Sequence, residues 1–328
     1  ESVFDFTGFS EKPITSLLRD FSAPVTLKFQ LPIDEGIFLI RNDSNLFRRW
    51  EISQNLSSSA IFDFISFGKE IPFILLKSFS EIICDESLHP AFRSLFCSAP
   101  SQEDLFTSVS QSGQKVYPNL LRLGQDKFNF ELAKYMAADL PSLFSKVGSG
   151  KRLSKSFIDM GLRKLSLSIL NLISYLDNRT EKARVFFDSA GNMTEELGAL
   201  KILVYHDSAQ TALKKFFNKW EKNKLVIDKW FSVQAAFTPP EKAIKVVTEL
   251  SQHRDFNIQN PNRFRCLVGS FSTHNLPAFH QDDGTGYEFV AKWLTKLDSI
   301  NPQIAARTCS VFDNWRHLNI SRQEKIKK

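Results

Sequence analysis

The segment from Ser154 to Asp177 constrains the fold more than any other. Apolar residues recur there at steps of 4, 3, 4, 3 and 4, the spacing of one α-helical face: Ile158, Leu162, Leu165, Ile169, Leu172 and Leu176. Positions between them are also apolar, including Leu167, Leu170 and Ile173. A helix that is apolar on more than one side must be covered on more than one side. The pattern therefore predicts a helix in the middle of a helical stack.

The glycine and phenylalanine content favours the same architecture. Only 13 of the 328 residues are Gly, so the chain has few positions suited to tight turns with positive φ. Phe occurs 31 times against 5 Trp and 5 Tyr. Helix-on-helix layers need bulky apolar side chains that carry no polar atom to satisfy, and Phe supplies them. A protein built from many β-hairpins is therefore disfavoured.

The C-terminal part of the chain repeats one helix-start signal. Thr238, Asn260 and Asn301 each stand before proline and are followed by apolar residues at helical spacing. Helices of about 12 to 18 residues are expected after each, and a similar helix is expected after Asp207–Ser208. Short helices joined by short loops, without a strict sequence repeat, predict a mainly α fold: an irregular helical superhelix of stacked helix pairs.

The N-terminal 31 residues follow a different pattern. Apolar residues alternate there with polar ones, the period of a half-buried β-strand, at Val25, Leu27, Phe29 and Leu31, and more weakly at Phe4 and Phe6. Two strands alone are marginal in water, so they must pack on the following helices or on a neighbouring domain. The expected division is a β edge over residues 1–31 and a helical domain over residues 32–328, with Asp43 capping one of its early helices.

Charge and cysteine content exclude several classes. The net charge is +6, and basic residues alternate with acidic ones instead of forming a stripe, so no nucleic-acid partner is expected. No apolar run reaches the roughly 18 residues of a membrane helix, so no membrane partner is expected either. The four cysteines lack CxxC spacing and are interpreted as free thiols of a cytoplasmic protein.

Catalytic motifs are missing from the sequence. The HExxH zinc-hydrolase motif does not occur, because no histidine is followed by Glu. One group has spacing that resembles a set of metal ligands: His274, His280, Asp282 and Asp283. We interpret it as a polar loop with helix-capping aspartates, with a metal ion in that loop as the less favoured alternative. Neither a phosphate-binding glycine loop nor a nucleophile elbow is present.

Five stretches together resemble one enzyme family. They are residues 17–25 (LLRDFSAPV), 228–235 (DKWFSVQA), 260–271 (NPNRFRCLVGSF), 277–289 (PAFHQDDGTGYEF) and 301–307 (NPQIAAR). Their order and spacing are similar to those of the C-terminal helical domain of bacterial aminopeptidase N, in the zinc-dependent gluzincin family. The first stretch resembles the junction between a small β-sandwich domain and this helical domain.

The resemblance implies that the chain is the non-catalytic part of a longer enzyme. Family members place the HExxH zinc site in a separate catalytic domain, so zinc belongs to the parent enzyme and no cofactor to this chain. The helical domain caps the active-site chamber and limits the access of peptides. The implied partners are the catalytic and β-sandwich domains of the same parent chain and a peptide substrate. The first residue, Glu1 rather than Met, also leads us to expect a piece of a longer protein.

The resemblance also implies three substrate-binding residues and no catalytic ones. They are Arg265, Gln303 and Arg307, which in bacterial relatives face the chamber. Gln303 and Arg307 are four residues apart, hence on one face of a helix. A guanidinium there would bind a peptide carboxylate or main-chain carbonyls through its two-pronged geometry. Ala306 stands where Ser is the commoner neighbour, and both arginines have an alternative role as interhelical ion-pair partners.

Two other functions remain open on sequence grounds. A stand-alone helical-repeat scaffold would bind a protein partner along its concave face. A free-standing hydrolase would use His274 and His280 as metal ligands. An HExxH motif in the same reading frame upstream of Glu1 would favour the aminopeptidase.

Overall fold

A computed structural model of the chain describes residue 5 and residues 7–25, 29, 31–148, 156–176 and 180–328. The first helices are α1 Ile33–Asn42, α2 Leu46–Phe67, α3 Phe73–Cys84, α4 Pro90–Ser94, α5 Gln102–Gln111, α6 Pro118–Tyr135, α7 Leu140–Val147 and α8 Phe157–Ser174. The later ones are α9 Glu181–Ser189, α10 Met193–Tyr205, α11 Gln210–Trp220, α12 Lys224–Phe237, α13 Pro240–Ser251, α14 Pro261–Phe264, α15 Ser270–His274, α16 Leu276–Phe279, α17 Thr285–Asp298, α18 Pro302–Cys309 and α19 Ile320–Lys327.

Three shorter segments complete the helical structure. A 3-10 turn at Arg19–Phe21 precedes α1, and a longer 3-10 segment at Ser310–His317 joins α18 to α19. A π-helical segment at Arg265–Gly269 joins α14 to α15, so that the chain stays helical from Pro261 to His274.

The longer helices form one layer of a two-layer stack. Helices α2, α6, α8, α10 and α12 contact one another in that order, and we call this set the long-helix layer. Shorter helices pack against it: α4 and α7 on α8, α9 on α10, and α11 and α13 on α12. The predicted superhelix of stacked helix pairs is thereby confirmed.

Two hydrophobic cores meet at α8. Leu165, Ile169 and Leu172 belong to the first core, whereas Leu170 on another side of the same helix belongs to the second. The prediction of a helix covered on more than one side is confirmed. The Ser156 side chain caps its start, and the wider limits expected from the sequence, Ser154 and Asp177, lie outside the described residues.

The predicted helix starts are partly right. Asn260 and Asn301 cap α14 and α18 through their side-chain oxygens, as expected. Thr238 does not cap α13, which begins at Pro240 without a side-chain cap, because proline fixes φ and has no N–H group to satisfy. The cap of α2 is Asn45, whose side chain accepts from the Arg48 N–H; Asp43 instead ends α1.

The N-terminal β edge finds no support. The described residues contain no β-strand beyond one isolated bridge between Val116 and Leu318. Of the alternating residues, Leu27 lies outside the described part, as do Phe4 and Phe6. Val25 and Phe29 are exposed rather than half-buried, and Leu31 packs against the first core. An alternating segment becomes a strand only where another strand pairs with it, and none of the described residues provides one.

The last helix ties the end of the chain back to its first half. The Arg322 guanidinium on α19 is buried and donates to the His280 carbonyl at 2.6 Å and to the Asn119 side chain on α6 at 3.2 Å. Nearby, the Val116 N–H donates to the His317 carbonyl at 2.8 Å. The C-terminal segment therefore holds α6 and α16 together although they are far apart in sequence.

Candidate functional site

Gln303 and Arg307 lie one turn apart on α18, as their spacing predicts. Both side chains are exposed, and neither forms a hydrogen bond or ion pair with any residue that the structure describes. Their helix is fixed from the other side, because Ala305 is buried in the second core and α18 packs on α17. The two polar groups therefore project together into solvent from a rigid support.

The two arginines of the NPNRFR stretch have opposite environments. Arg263 is 4% exposed; its guanidinium pairs with Asp228 at 2.5 Å and lies 4.8 Å from the centre of the Phe231 ring. Arg265, the first residue of the π-helical segment, is exposed and pairs with no described residue. Arg263 therefore anchors the turn to α12, whereas Arg265 is free to meet a ligand. π-Helical turns occur often at functional sites.

The alternative role of Arg265 and Arg307 as interhelical ion-pair partners is not observed among the described residues. The structure also does not join the three predicted residues into one hydrogen-bonded group. The π-helical segment contacts α12 and α13, while α18 contacts α17. Helix α13 contacts both the π-helical segment and α17, and so links the two parts of the candidate site.

The loop with metal-ligand spacing is a structural element. His280 is buried, and its Nδ1 lies 3.0 Å from the Tyr287 hydroxyl. Burial, followed by the nearby Arg322 charge, lowers the pKa of His280 to about 3, so its ring is neutral at neutral pH. His274, by contrast, is exposed. The two histidines therefore face different environments.

The aspartates of the same loop serve the fold. Asp283 accepts hydrogen bonds from the Thr285 N–H at 3.0 Å and from its hydroxyl at 2.8 Å at the start of α17. The N-cap residue of that helix is Gly284 and no side chain caps it, so the prediction of a capping aspartate is wrong for this helix. Asp282 pairs with Arg322 at 2.9 Å. Within the described ranges, no group of three or more His, Cys, Asp or Glu side chains is placed to hold a metal ion. These residues do not fit a zinc site.

A partly buried polar cluster that the sequence did not reveal lies in the long-helix layer. We call it the tyrosine cluster: Arg122 and Asp126 on α6, Tyr175 after α8, and Tyr205 at the end of α10. The Asp126 carboxylate accepts hydrogen bonds from the Tyr175 hydroxyl at 3.0 Å and from the Tyr205 hydroxyl, and pairs with Arg122 at 2.9 Å. The Arg122 guanidinium stacks 3.7 Å from the centre of the Tyr205 ring.

The tyrosine cluster holds its protons firmly. Burial, together with the nearby Asp126 charge, raises the pKa of Tyr175, and burial also raises the pKa of Tyr205. Both hydroxyls are therefore hydrogen-bond donors at any physiological pH. Nothing in the sequence links Asp126 to tyrosines that lie 49 and 79 positions away.

Two surface cavities do not contain the predicted residues. One, of about 1130 Å³, lies between α17, the 3-10 segment and α19, where Arg316 and Lys327 each stand 5.1 Å from the centre of the Trp315 ring. Another, of about 570 Å³, lies beside His89 and the end of α7. Arg265, Gln303 and Arg307 line neither of them.

Comparison with known proteins defines the family. The family described as "Domain of unknown function (DUF3458_C) ARM repeats" matches residues 33–328. The chain belongs to the DUF3458_C family. The ARM repeats of its description agree with the stacked helices of the fold.

Characterised relatives of this DUF3458_C chain are aminopeptidases. It is 29% identical to aminopeptidase N of Escherichia coli over all of its length and 38% of the relative's, and 31% identical to aminopeptidase N of Caulobacter vibrioides over 93% of its length and 36% of the relative's. A solved structure of Legionella pneumophila aminopeptidase A in complex with aspartic acid matches 98% of the chain with a TM-score of 0.88 and 30% identity, over 39% of that protein.

These matches confirm the resemblance to the C-terminal helical domain of aminopeptidase N. The DUF3458_C chain spans less than two fifths of the length of the relatives it matches. It is thus similar to one part of these peptidases, which are much longer than the matched part. Among its described residues, no helix has the length and apolar character needed to cross a membrane.

Proposed function

We propose that the chain is the non-catalytic C-terminal domain of a zinc-dependent aminopeptidase, which caps the active-site chamber and contributes to peptide access and binding. The parent enzyme removes N-terminal amino acids from peptides, and its zinc and catalytic groups lie in another domain. One observation carries the substrate-binding role: Gln303 and Arg307 present unpaired polar groups from one rigid helical face.

The chemistry of these side chains suits a peptide. An arginine fork donates two parallel hydrogen bonds to a carboxylate or to main-chain carbonyls, and the Gln303 amide both donates and accepts. Arg265 adds a second free guanidinium, with its backbone fixed through the buried Arg263 two residues before it. These residues would hold the end of the peptide remote from the bond that is cleaved.

The surface of the first half supports contact with other domains of the parent chain. Phe9, Phe21, Phe29 and Phe38 are all at least 44% exposed. Exposed apolar patches of this kind are usually covered in the assembled protein. We propose that the preceding β-sandwich and catalytic domains cover these side chains. In this proposal residues 1–31 form the junction and residues 32–328 the helical domain. A cytoplasmic location completes the proposal, supported by four free cysteines.

The test uses the complete parent enzyme with Arg307→Ala. KM for a tetrapeptide should rise by about tenfold, the effect of losing a hydrogen bond to a charged group. Hydrolysis of alanine p-nitroanilide should not change, because that substrate has no distal peptide. Arg184→Ala, which removes an exposed arginine of α9, is the matched control. Equal effects of Arg307→Ala on both substrates would contradict the binding role.

A second test separates the domain from an independent hydrolase. The pure 328-residue chain should hold no stoichiometric zinc and should not hydrolyse alanyl substrates in a chelator-sensitive way, since it lacks HExxH. Metal analysis and a chelator titration check both statements. Chelator-sensitive turnover that disappears in His274→Ala or His280→Ala would instead support the hydrolase alternative.

A further inference from the structure

The cavity beside His89 lies in the first half of the chain, where α4, α7 and α8 meet. Its volume is about 570 Å³. Apolar side chains form much of its wall, among them Leu143 and Val147 on α7 and Ile158 and Leu162 on α8. Sites for small molecules in proteins have volumes of about 300–1,000 Å³ and mostly apolar walls with a few polar groups. The cavity has the size and the walls of such a site.

One buried cation, Arg93 on α4, lines this cavity. The residue is 5% exposed, and its Nε donates to the Ile83 carbonyl at the end of α3 at 2.8 Å. Its two terminal nitrogens form no hydrogen bond or ion pair with the residues that the structure describes. A buried charge is costly unless it is paired. The cavity therefore contains a guanidinium whose terminal N–H groups are open to an acceptor.

The neighbouring carboxylates are engaged elsewhere. Glu86, which also lines the cavity, pairs with Lys146 at 2.9 Å. The Asp85 carboxylate interacts with Arg93 only at longer range, and it accepts hydrogen bonds from the Ser87 N–H at 2.9 Å and hydroxyl at 2.6 Å. Among the charged side chains of the cavity wall, Glu86 and Lys146 offset each other. Arg93 therefore leaves the cavity with a net positive charge.

His89 places a second donor in the same wall. Its ring stacks on Phe157 at 4.3 Å, and its Nδ1 accepts a hydrogen bond from the Ala91 N–H at 3.1 Å. An Nδ1 atom that accepts leaves the ring proton on Nε2. That Nε2 atom is buried and has no hydrogen-bond partner among the described residues. The wall thus contains two kinds of donor and few free acceptors.

Arg49 on α2 provides a comparison within the same chain. It is also buried, at 8% exposed, and its Nε donates to the Ile40 carbonyl near the end of α1 at 2.6 Å. Arg49 lines neither of the two cavities, and its guanidinium lies 5.6 Å from the centre of the Phe92 ring. Fixing the end of a preceding helix therefore needs no cavity. The cavity is an additional feature of Arg93.

We infer that this cavity is a binding site for a small monocarboxylate with a branched apolar chain. The terminal nitrogens of Arg93 would donate two hydrogen bonds to the carboxylate. The apolar chain would be buried against Leu143, Ile158 and Leu162. A phosphate fits less well, because apolar walls leave its other oxygens without donors. The site is separate from Arg265 and α18 and does not depend on the proposed function.

The experiment compares isovalerate with isovaleramide, which has the same shape and no charge. Binding of each to the full 328-residue chain is measured by NMR titration. Isovalerate should bind at least about tenfold more tightly, as expected for hydrogen bonds to a charged group. Arg93→Met should abolish this preference. Arg49→Met, which removes the matched buried arginine outside the cavity, should leave it unchanged.

A second variant tests the cavity without removing the arginine. Ile158 is 48% exposed at the edge of the cavity, so Ile158→Trp should fill the space while Arg93 keeps its contact with α3. Binding of isovalerate should then be lost. Thermal unfolding of each variant checks that the fold is intact, and Ile158→Trp decides the question if Arg93→Met does not fold.

Four results would overturn the inference. They are no measurable binding of isovalerate, equal binding of acid and amide, a preference that survives Arg93→Met, and binding that survives Ile158→Trp. Inorganic phosphate is titrated in parallel. Tighter binding of phosphate than of isovalerate would likewise contradict a site built for an apolar carboxylate.

Discussion

The two halves of the superhelix use phenylalanine in different ways. In the first half, residues 31–176, several phenylalanines are exposed on the helices: Phe38, Phe67, Phe73, Phe130 and Phe157. In the second half, residues 180–328, all of which are described, no phenylalanine is exposed. Both halves also bury phenylalanines in ring clusters: Phe79 lies 5.2 Å from Phe96 and 5.4 Å from Phe128 in the first half, and Phe271 lies 6.3 Å from Phe279 and 5.6 Å from Phe289 in the second. The difference between the halves is therefore in the exposed phenylalanines.

This difference teaches that one residue type has two uses in the same fold. Buried phenylalanine in either half fills the space between helices, where its loss would leave a cavity. On the first half, pairs such as Phe73 and Tyr135, at 5.2 Å, stand at the surface and add little to the isolated chain. The phenylalanine surplus of the sequence therefore serves both the interior and, in our proposal, an interface.

The sharpest test of the comparison truncates one phenylalanine in each half. Phe271→Ala should lower the free energy of unfolding by about 4 kcal/mol, because it removes a fully buried ring. Phe73→Ala, at a residue that is 64% exposed, should change it by less than about 0.5 kcal/mol. Urea unfolding followed by circular dichroism measures both. Similar losses for the two variants would refute the contrast.

A second prediction concerns the contribution of a buried ion pair to the stability of the second half. Arg263→Ala should cost about 3 kcal/mol, since the Asp228 carboxylate would remain buried without its partner. Arg265→Ala, two residues away and exposed, is the control and should change stability by less than about 0.5 kcal/mol. The same unfolding assay applies. A stable Arg263→Ala chain would mean that water reaches Asp228.

A third prediction concerns the contact between the halves, where His280 of the second half stacks on Phe106 of the first at 6.4 Å. The pKa of His280 is lowered from 6.5 to about 3, so below pH 6.5 the unfolded chain binds a proton that the folded chain refuses. Stability should therefore fall as the pH falls from about 6.5 to about 3, by up to about 1.4 kcal/mol per pH unit from this group.

The variant His280→Gln isolates that contribution. Carboxylates also titrate over part of this range, so the relevant quantity is the difference in slope between the variant and the parent chain. Removing His280 should flatten the pH dependence, whereas His274→Gln, at an exposed histidine, should not. Identical slopes for all three proteins would contradict a neutral buried ring.

The prediction with the smallest expected effect concerns the exposed phenylalanines on the surface of the first half. Exchanging Phe38 and Phe67 for Ser together should reduce the fluorescence of a dye that binds exposed apolar surface, while stability changes by less than about 0.5 kcal/mol per site. Leu225→Ser in the second half removes an apolar side chain that is 70% exposed, and is the control. Dye binding that depends equally on Leu225 would remove the distinction between the two surfaces.

Local features were predictable from the sequence. The apolar spacing around Leu165 and Ile169 identifies α8 and its burial on more than one side, because helical geometry acts over a few residues. Asn260 and Asn301 cap the helices expected of them, since capping needs only neighbouring N–H groups. The hydrogen bonds between Asp283 and Thr285 at the start of α17 are equally local, although the N-cap residue there is Gly284.

Long-range features were not predictable in this way. The strand proposed around Val25 depended on a pairing partner that the described residues do not supply. The tyrosine cluster joins Asp126 to tyrosines 49 and 79 residues away, with no sequence pattern to link them. The contact of the Lys201 ammonium with the Phe237 ring, 36 positions further along, is likewise marked by no sequence pattern.

Arg263 and Arg265 illustrate the difference between what the sequence determines and what only the tertiary structure decides. The sequence by itself determined the helices, several of their caps and the resemblance to a peptidase domain, because these depend on residue type and on neighbours within a few positions. The tertiary structure alone decided that Arg263 is buried against Asp228 while Arg265 meets solvent. Two identical side chains two residues apart point to different sides of one helix, and only the packing of α12 distinguishes those sides.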